Sequence, residues 1–310
     1  MTIRTMAVSA LAAAGLFLLP GAHSFASGGS AGISERSILV TVLDKDGVAV
    51  RDLTPADVNV REDGALREVT SITPVTDPLY VALLVDTGKP RMGQNPPVSD
   101  LRKGLAALVD GVQAAAPDTE ISITEIAGAA VRQVDFTTST DDLQKHIKRI
   151  FPSQRTGAVL LEGIIDAATS LKTRPSPRRA IVSVTLTSPE SSTVLPRDVA
   201  DAVQKAGAAF WAVSVEPPPD ATIAQTVGQS EDPTLTAARA VILSNLPPAT
   251  GGLRLTSVSP AGLESMCRKV AAGLTAQYVV TYATPATRPP AVIQATSRRG
   301  PQVLVSPWVQ

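Results

Sequence analysis

The chain has 310 residues, 44% of them hydrophobic and 18% charged, so it is long and apolar enough to bury a substantial core and is not a disordered segment. Lysine plus arginine balance aspartate plus glutamate at 28 each, which gives no reason to expect nucleic acid or an anionic membrane surface as a partner. Aromatic residues, at 3%, are too few for base-stacking platforms or an aromatic sugar cleft.

Residues 1–26 read as a secretory signal. Arg4 supplies the positive end, Met6 to Leu19 is an apolar run, Pro20-Gly21 makes a turn, and Ser24 and Ala26 stand at cleavage spacing. The run is shorter than the roughly 20 apolar residues of a membrane span, so cleavage is expected, with a retained anchor as the alternative. The expected location is therefore exported, periplasmic or extracellular, with no membrane insertion after cleavage. Residues 27–35, rich in Gly and Ser, read as a flexible spacer. Cys267 is the only cysteine, which excludes an internal disulfide, and its place in Leu263-x-x-Met266-Cys267-x-x-Val270 marks it as a small buried hydrophobe on a helix face.

Residues 36–76 carry strand-like alternation: Ile38 to Leu43, the turn Asp44-Lys-Asp-Gly47, Val58 to Val60, the turn Glu62-Asp63-Gly64, and Arg67 to Ile72. They predict a small β-rich unit, too small to stand alone. From residue 77 to 310 the rhythm becomes α/β. Leu79 to Val85, Glu120 to Ile126, Ala130 to Phe136, Ala180 to Leu186, Phe210 to Val215 and Leu253 to Val258 read as strands. Helical spacing follows Ser99-Asp100, Thr140 to Asp142, Ala158 and Asp198, near Leu235 to Leu246, and from Ala261 to Leu274. Gln277 to Ala283 and Ala291 to Thr296 add two strands joined by a Pro-rich loop. Strands alternating with helices predict an α/β three-layer sandwich with a mainly parallel central sheet.

Three stretches resemble the von Willebrand factor type A fold, in particular a bacterial group of von Willebrand factor A-related proteins. They are Leu53-Thr-Pro-Ala-Asp57-Val58 with Val60-x-Glu62-Asp63-Gly64; Leu83-Leu-Val-Asp86 with its loop; and Ala249-Thr-Gly-Gly252 with Leu263-x-x-Met266 and Ala276-Gln-Tyr-Val-Val280-x-Tyr282. The resemblance implies a metal-ion-dependent adhesion site at the carboxyl end of the sheet, where Mg²⁺ takes about six oxygen ligands. Residue by residue, Asp86 matches the first aspartate, but the two serine positions are Gly88 and Pro90. The threonine position is Ala158, and the third loop, Thr185-Leu-Thr187-Ser188-Pro-Glu190, lacks its strand-end aspartate. No cofactor is therefore expected. A live Mg²⁺ site would need Asp86 with Thr156, Thr187 and Glu190.

Without a metal, Asp86 is expected to bond backbone N–H groups of its own loop or to cap a helix. His146, within Gln144-Lys-His-Ile-Lys-Arg149, reads as an exposed surface residue, and Arg174 with Arg178-Arg179 reads as a solvated basic knot. Asp141-Asp142 reads as helix-start charge rather than a catalytic pair. No catalytic residue is expected. The chain reads as a non-enzymatic, exported module for a protein partner, contacting it through Asp86, Thr87, Lys89, Arg91, Arg155, Thr156, Ser188 and Glu190 at the rim of the sheet. A divalent-cation-dependent adhesion domain is the alternative, and a hydrolase has only the generality of the fold behind it.

Overall fold

The computed structural model describes residues 34–89, 97–153, 157–216, 232–285 and 292–306. The signal and most of the spacer lie outside these, and residues 34 and 35 already belong to the first strand. The described residues fall in one compact unit, Ile33–Gln310.

The N-terminal strands are β1 (Ser34–Leu43), β2 (Val58–Glu62), β3 (Ala65–Arg67) and β4 (Val69–Pro74). Among themselves only β2 and β3 pair. The C-terminal strands β11 (Tyr278–Thr284), β12 (Ile293–Ser297) and β13 (Gln302–Ser306) interleave with them, giving one sheet in the order β13-β1-β11-β4 and another in the order β12-β2-β3. The β-rich segment is thus completed by residues more than two hundred positions away: Ser34 pairs with Thr284 and Leu39 with Ser306. Ile38, Val40 and Val42 of β1 pack with Val58, Val60, Tyr278, Val280 and Tyr282 between the two sheets. Residues 278–284 and 293–297 do form strands, as their alternation predicts, but in different sheets.

A buried cap holds the first of these loops. The Asp57 carboxylate accepts from the Thr54 hydroxyl (2.7 Å) and backbone N–H (2.9 Å) and from Arg298 Nε (2.8 Å). These donors, Thr54 first, hold its pKa down to about 2. A carboxylate depressed in the folded state adds stability above its unfolded pKa of about 4, and that stability is lost as pH falls towards 2. Urea midpoints are therefore expected to drop between pH 4.5 and 2.5. The drop should be smaller in Asp57→Asn; an identical drop in both proteins would remove Asp57 as its source.

The central sheet runs β10-β9-β8-β5-β6-β7, from β5 (Tyr80–Val85), β6 (Glu120–Ile126), β7 (Ala130–Thr137), β8 (Arg179–Thr185), β9 (Ala208–Val215) and β10 (Arg254–Ser257). All neighbours are parallel except β7 on β6. Alternation along β5 serves both faces. Val81, Leu83 and Val85 join the core under α1 (Val98–Ala115), α2 (Thr140–Ile147) and, C-terminal in the chain, α6 (Leu263–Thr275). Tyr80, Ala82 and Leu84 join the core under α3 (Leu160–Lys172), α4 (Pro196–Ala206) and α5 (Pro233–Ala249). This is the three-layer α/β sandwich that the strand–helix alternation predicts. The fifth helix runs through Pro247 and Pro248 to Ala249, past the expected stop near Leu246, although neither proline has an N–H to bond four residues back.

Cys267 is fully buried, and burial pushes its thiol up to about 12, which fits an inert packing residue. The basic knot is not solvated. Arg178 is 5% exposed; its Nη2 donates to Leu274 O at the end of α6, its Nη1 to Asp77 O and its Nε to Gln277 Oε1. Arg179 donates to Ala206 O at the end of α4. Helix C-termini present unpaired carbonyls, and guanidinium groups at the strand start are the nearest donors. No helix among the described residues is long and apolar enough to cross a membrane.

Candidate functional site

The first strand of the parallel set, β5, lies between β6 and β8, and its carboxyl end opens onto the crevice where chain direction across the sheet reverses. Asp86 stands there, fully buried. Its Oδ1 accepts from Gly88 N–H at 3.0 Å and its Oδ2 from Leu186 N–H at 2.9 Å. Burial pushes the carboxyl above its ordinary range, while the Arg239 charge, the Ser188 hydroxyl and the two N–H groups pull the other way. The aspartate therefore bonds its own loop, as expected, and also ties that loop to the strand end of β8.

The other two loops close over this pair. A side chain at Gly88 would meet Gly157 O at 2.6 Å and Ser188 Oγ at 2.9 Å, so nothing larger than glycine fits where the adhesion motif has a serine. Gly157 itself has φ +83°. Ala158 N–H donates to Pro189 O at 2.7 Å and Ser191 N–H to Ala158 O at 2.9 Å, a short parallel bridge between the second and third loops. Glu190 Oε1 accepts from Leu160 N–H (3.2 Å) and Ser192 N–H (3.1 Å), and Ser192 Oγ accepts from Leu161 N–H (3.1 Å). Helix α3 begins after Val159, which has no capping side chain, so the third loop caps it from a distance. Burial raises the Glu190 carboxyl, opposed by Ser192 and the Arg239 charge. Arg239, on α5, donates from Nη1 to Ser188 O (2.7 Å) and from Nη2 to Leu186 O (3.1 Å).

Around Asp86, then, the oxygens that a six-coordinate cation needs are not assembled among the described residues. Both Asp86 oxygens face amide hydrogens, Ala158 and Leu186 bring no side-chain oxygen, and Glu190 is engaged at α3. Thr187 is half-buried, and Thr156 lies outside the described residues.

The expected contact residues separate by burial. Asp86, Thr87, Ser188 and Glu190 are 0%, 3%, 3% and 7% exposed, so they shape the rim from within; Lys89 is exposed, and Arg91 and Arg155 lie outside the described residues. Two exposed apolar residues at the rim had no signal in the sequence. Phe151, 67% exposed under the Arg102 guanidinium, precedes Ser153, whose N–H donates to Thr87 O; Leu195, 49% exposed, opens α4. His146 is not freely exposed: its Nε2 lies 3.0 Å from Glu125 Oε1, while Thr87 Oγ1 donates to Glu125 Oε2 at 3.2 Å. The helix α2 turns this residue towards β6 rather than to solvent. The carboxylate separates histidine from hydroxyl, so the three do not form a nucleophile–base pair.

No family model matches the chain, and no curated protein matches it. Among solved structures it is similar to the conserved hypothetical protein BatB from Bacteroides thetaiotaomicron, at 16% identity over 62% of this chain and 97% of that one, with a TM-score of 0.46. It is similar to a von Willebrand factor type A protein from Catenulispora acidiphila, at 12% identity, 81% and 72% coverage and a TM-score of 0.48. The vWF domain of the type V pili tip protein Mfa5 from Porphyromonas gingivalis is also similar, at 12% identity, 64% and 95% coverage and a TM-score of 0.47. On its own strand order, with one antiparallel edge strand, three helices on each face and an aspartate at the carboxyl end of the first parallel strand, the chain has a von Willebrand factor A-like α/β fold.

Proposed function

We propose that the chain is a non-enzymatic, exported protein-interaction module that binds its partner without a metal, through the rim at the carboxyl end of the central sheet. The observation that carries this is the state of Asp86: each of its oxygens accepts a backbone N–H, and the three loops are tied to one another through backbone atoms. A rim tied in this way is rigid before a partner arrives, which lowers the ordering cost of binding. Phe151 and Leu195 supply exposed apolar anchors beside it, and Lys89 adds a charge. Export rests on the reading of residues 1–26.

Calorimetric melting of the mature chain with Mg²⁺ or Mn²⁺ and with chelator tests the metal-free reading. A ligand that binds only the native state raises the melting temperature by mass action. The expected shift is under about 1 °C at millimolar metal, because millimolar affinity or weaker stabilises by only a few tenths of a kcal/mol. A shift of several degrees that disappears in Asp86→Ala would replace this reading by the cation-dependent one.

A further inference from the structure

The α1/α2 side of the rim carries an unbalanced charge. Arg102 donates from Nε to Ile150 O at 3.0 Å, and Gln144 Nε2 donates to Asp110 Oδ1 at 2.7 Å. These contacts set α1 and α2 side by side and antiparallel, with the first turns of α1 next to the residues that leave α2. Five cations gather there: Arg102 and Lys103 on α1, and Lys145, Lys148 and Arg149 on α2 and the turn after it. The last three stand at i, i+3 and i+4, and so share one face. All but the half-buried Arg102 are exposed. None of the five has a carboxylate within ion-pair distance among the described residues. Glu125, on β6, is taken by His146 and Thr87, and Asp110 by Gln144.

Two ordinary readings do not account for this group. The helix dipole favours cations at the carboxyl end of α2, but not Arg102 and Lys103 near the amino end of α1. A simply solvated basic face needs no aromatic residue, yet Phe151 stands in it, 67% exposed. A lone exposed apolar residue is common, but this one is held in place. The Arg102 guanidinium lies 4.6 Å from the ring centroid while it bonds the carbonyl of the preceding residue, so one side chain fixes both the ring and its backbone. Two residues later, Ser153 N–H donates to Thr87 O and ties the same segment to the rim. A ring held in this way costs little entropy to use as an anchor, and the like charges around it repel one another until a negative group comes between them.

We propose that this patch binds an acidic segment of the protein partner, with Phe151 taking an apolar side chain of that segment and Lys103, Lys148 and Arg149 facing its carboxylates. The proposal rests on the reading of the chain as a protein-interaction module, and names the partner's chemistry and the side of the rim it uses. The charges set the rate of approach and the choice of partner, and the ring supplies the desolvated contact.

Fluorescence anisotropy on the mature chain tests this with labelled, end-blocked Glu-Glu-Leu-Glu-Glu, against Gln-Gln-Leu-Gln-Gln and Glu-Glu-Ala-Glu-Glu, at low ionic strength. Saturable binding of the first peptide is expected, none of the glutamine peptide, and about fivefold weaker binding of the alanine peptide. Lys148→Glu combined with Arg149→Glu should weaken binding about tenfold, since two exposed contacts turn from attractive to repulsive. Phe151→Ala should weaken it about fivefold. All three positions are exposed, so these variants keep the fold, which a melting curve checks. Lys172→Glu combined with Lys205→Glu, exposed cations on α3 and α4, changes the net charge equally and should bind as the parent does. Absence of saturable binding, parental affinity in either Phe151→Ala or the Lys148 and Arg149 double variant, or an equal loss in the α3/α4 control overturns the proposal. Phosphatidylglycerol vesicles are expected not to sediment the chain; sedimentation that is lost in Phe151→Ala would assign the patch to a membrane surface and overturn it as well. The two readings fail separately, because a metal-dependent melting shift lost in Asp86→Ala removes the metal-free module and leaves the peptide result as it stands.

Discussion

Gly252→Ala is expected to lower the unfolding free energy by about 3 kcal/mol or more, a large fraction of the roughly 5–15 kcal/mol that holds a domain folded. A Cβ at this position would lie 1.9 Å from Phe210 O and 2.5 Å from Phe210 C, both backbone atoms of β9 in the interior of the central sheet. Neither can retreat, because β9 is held between β8 and β10 by their ladders. Thr250, two residues earlier, anchors the same turn by accepting the Phe210 N–H on its hydroxyl at 2.9 Å. Gly64→Ala makes the control. Gly64 has φ +83° but nothing within 4 Å of its added Cβ, so it should cost only the left-handed backbone penalty of about 1–2 kcal/mol. Urea titration of the two variants separates the effects. A Gly252→Ala midpoint equal to that of the unsubstituted protein would mean that the close approach at Gly252 relaxes at no cost.

Arg178→Met should destabilise by about 3 kcal/mol, and Arg178→Lys by nearly as much. The guanidinium donates in three directions, to the end of α6, to Asp77 O before β5 and to Gln277 before β11. A lysine ammonium cannot span this fork, and methionine leaves buried carbonyls without donors. The acceptors are neutral, so burial lowers the arginine pKa to about 10 without discharging it near neutrality. Denaturant midpoints for the two variants and for the exposed control Arg197→Met decide the matter. If Arg178→Lys retained full stability, charge alone rather than the fork would be the cause.

The sequence makes the central sheet legible because its strands are continuous apolar runs, such as Tyr80 to Val85, bounded by Gly and Pro. It also places Asp86 at the right strand end. What it could not reveal were partnerships between residues distant in the chain. Strand β13, Gln302 to Ser306, is five residues with one deeply buried leucine, too brief to register as a pattern, and becomes a strand because β1 lies beside it. Arg178 reads as solvated until the carbonyls of two helix ends are brought to it. Glu190 and Ser192 look like ordinary loop residues, since the helix they cap begins some thirty residues earlier. The vacancies in the metal motif were visible as letters, but the amide hydrogens that occupy Asp86 instead became visible only when Leu186 was placed opposite it.

Strand β1 has a consequence for the order of events during synthesis. It is the first element of the described body in chain order and among the last to find its neighbouring strands. Both of its neighbours come from the C-terminal end, and its hydrogen-bonded partner Thr284 lies 250 residues beyond Ser34. A chain emerging from its N-terminus therefore holds an apolar, β-forming segment, Ile38 to Leu43, without either neighbouring strand of its native sheet until nearly all of the protein has been made. Closing the seam between the two ends works against the entropy of a very long loop. Until then, Ile38 to Leu43 is the segment most in need of shelter from other chains.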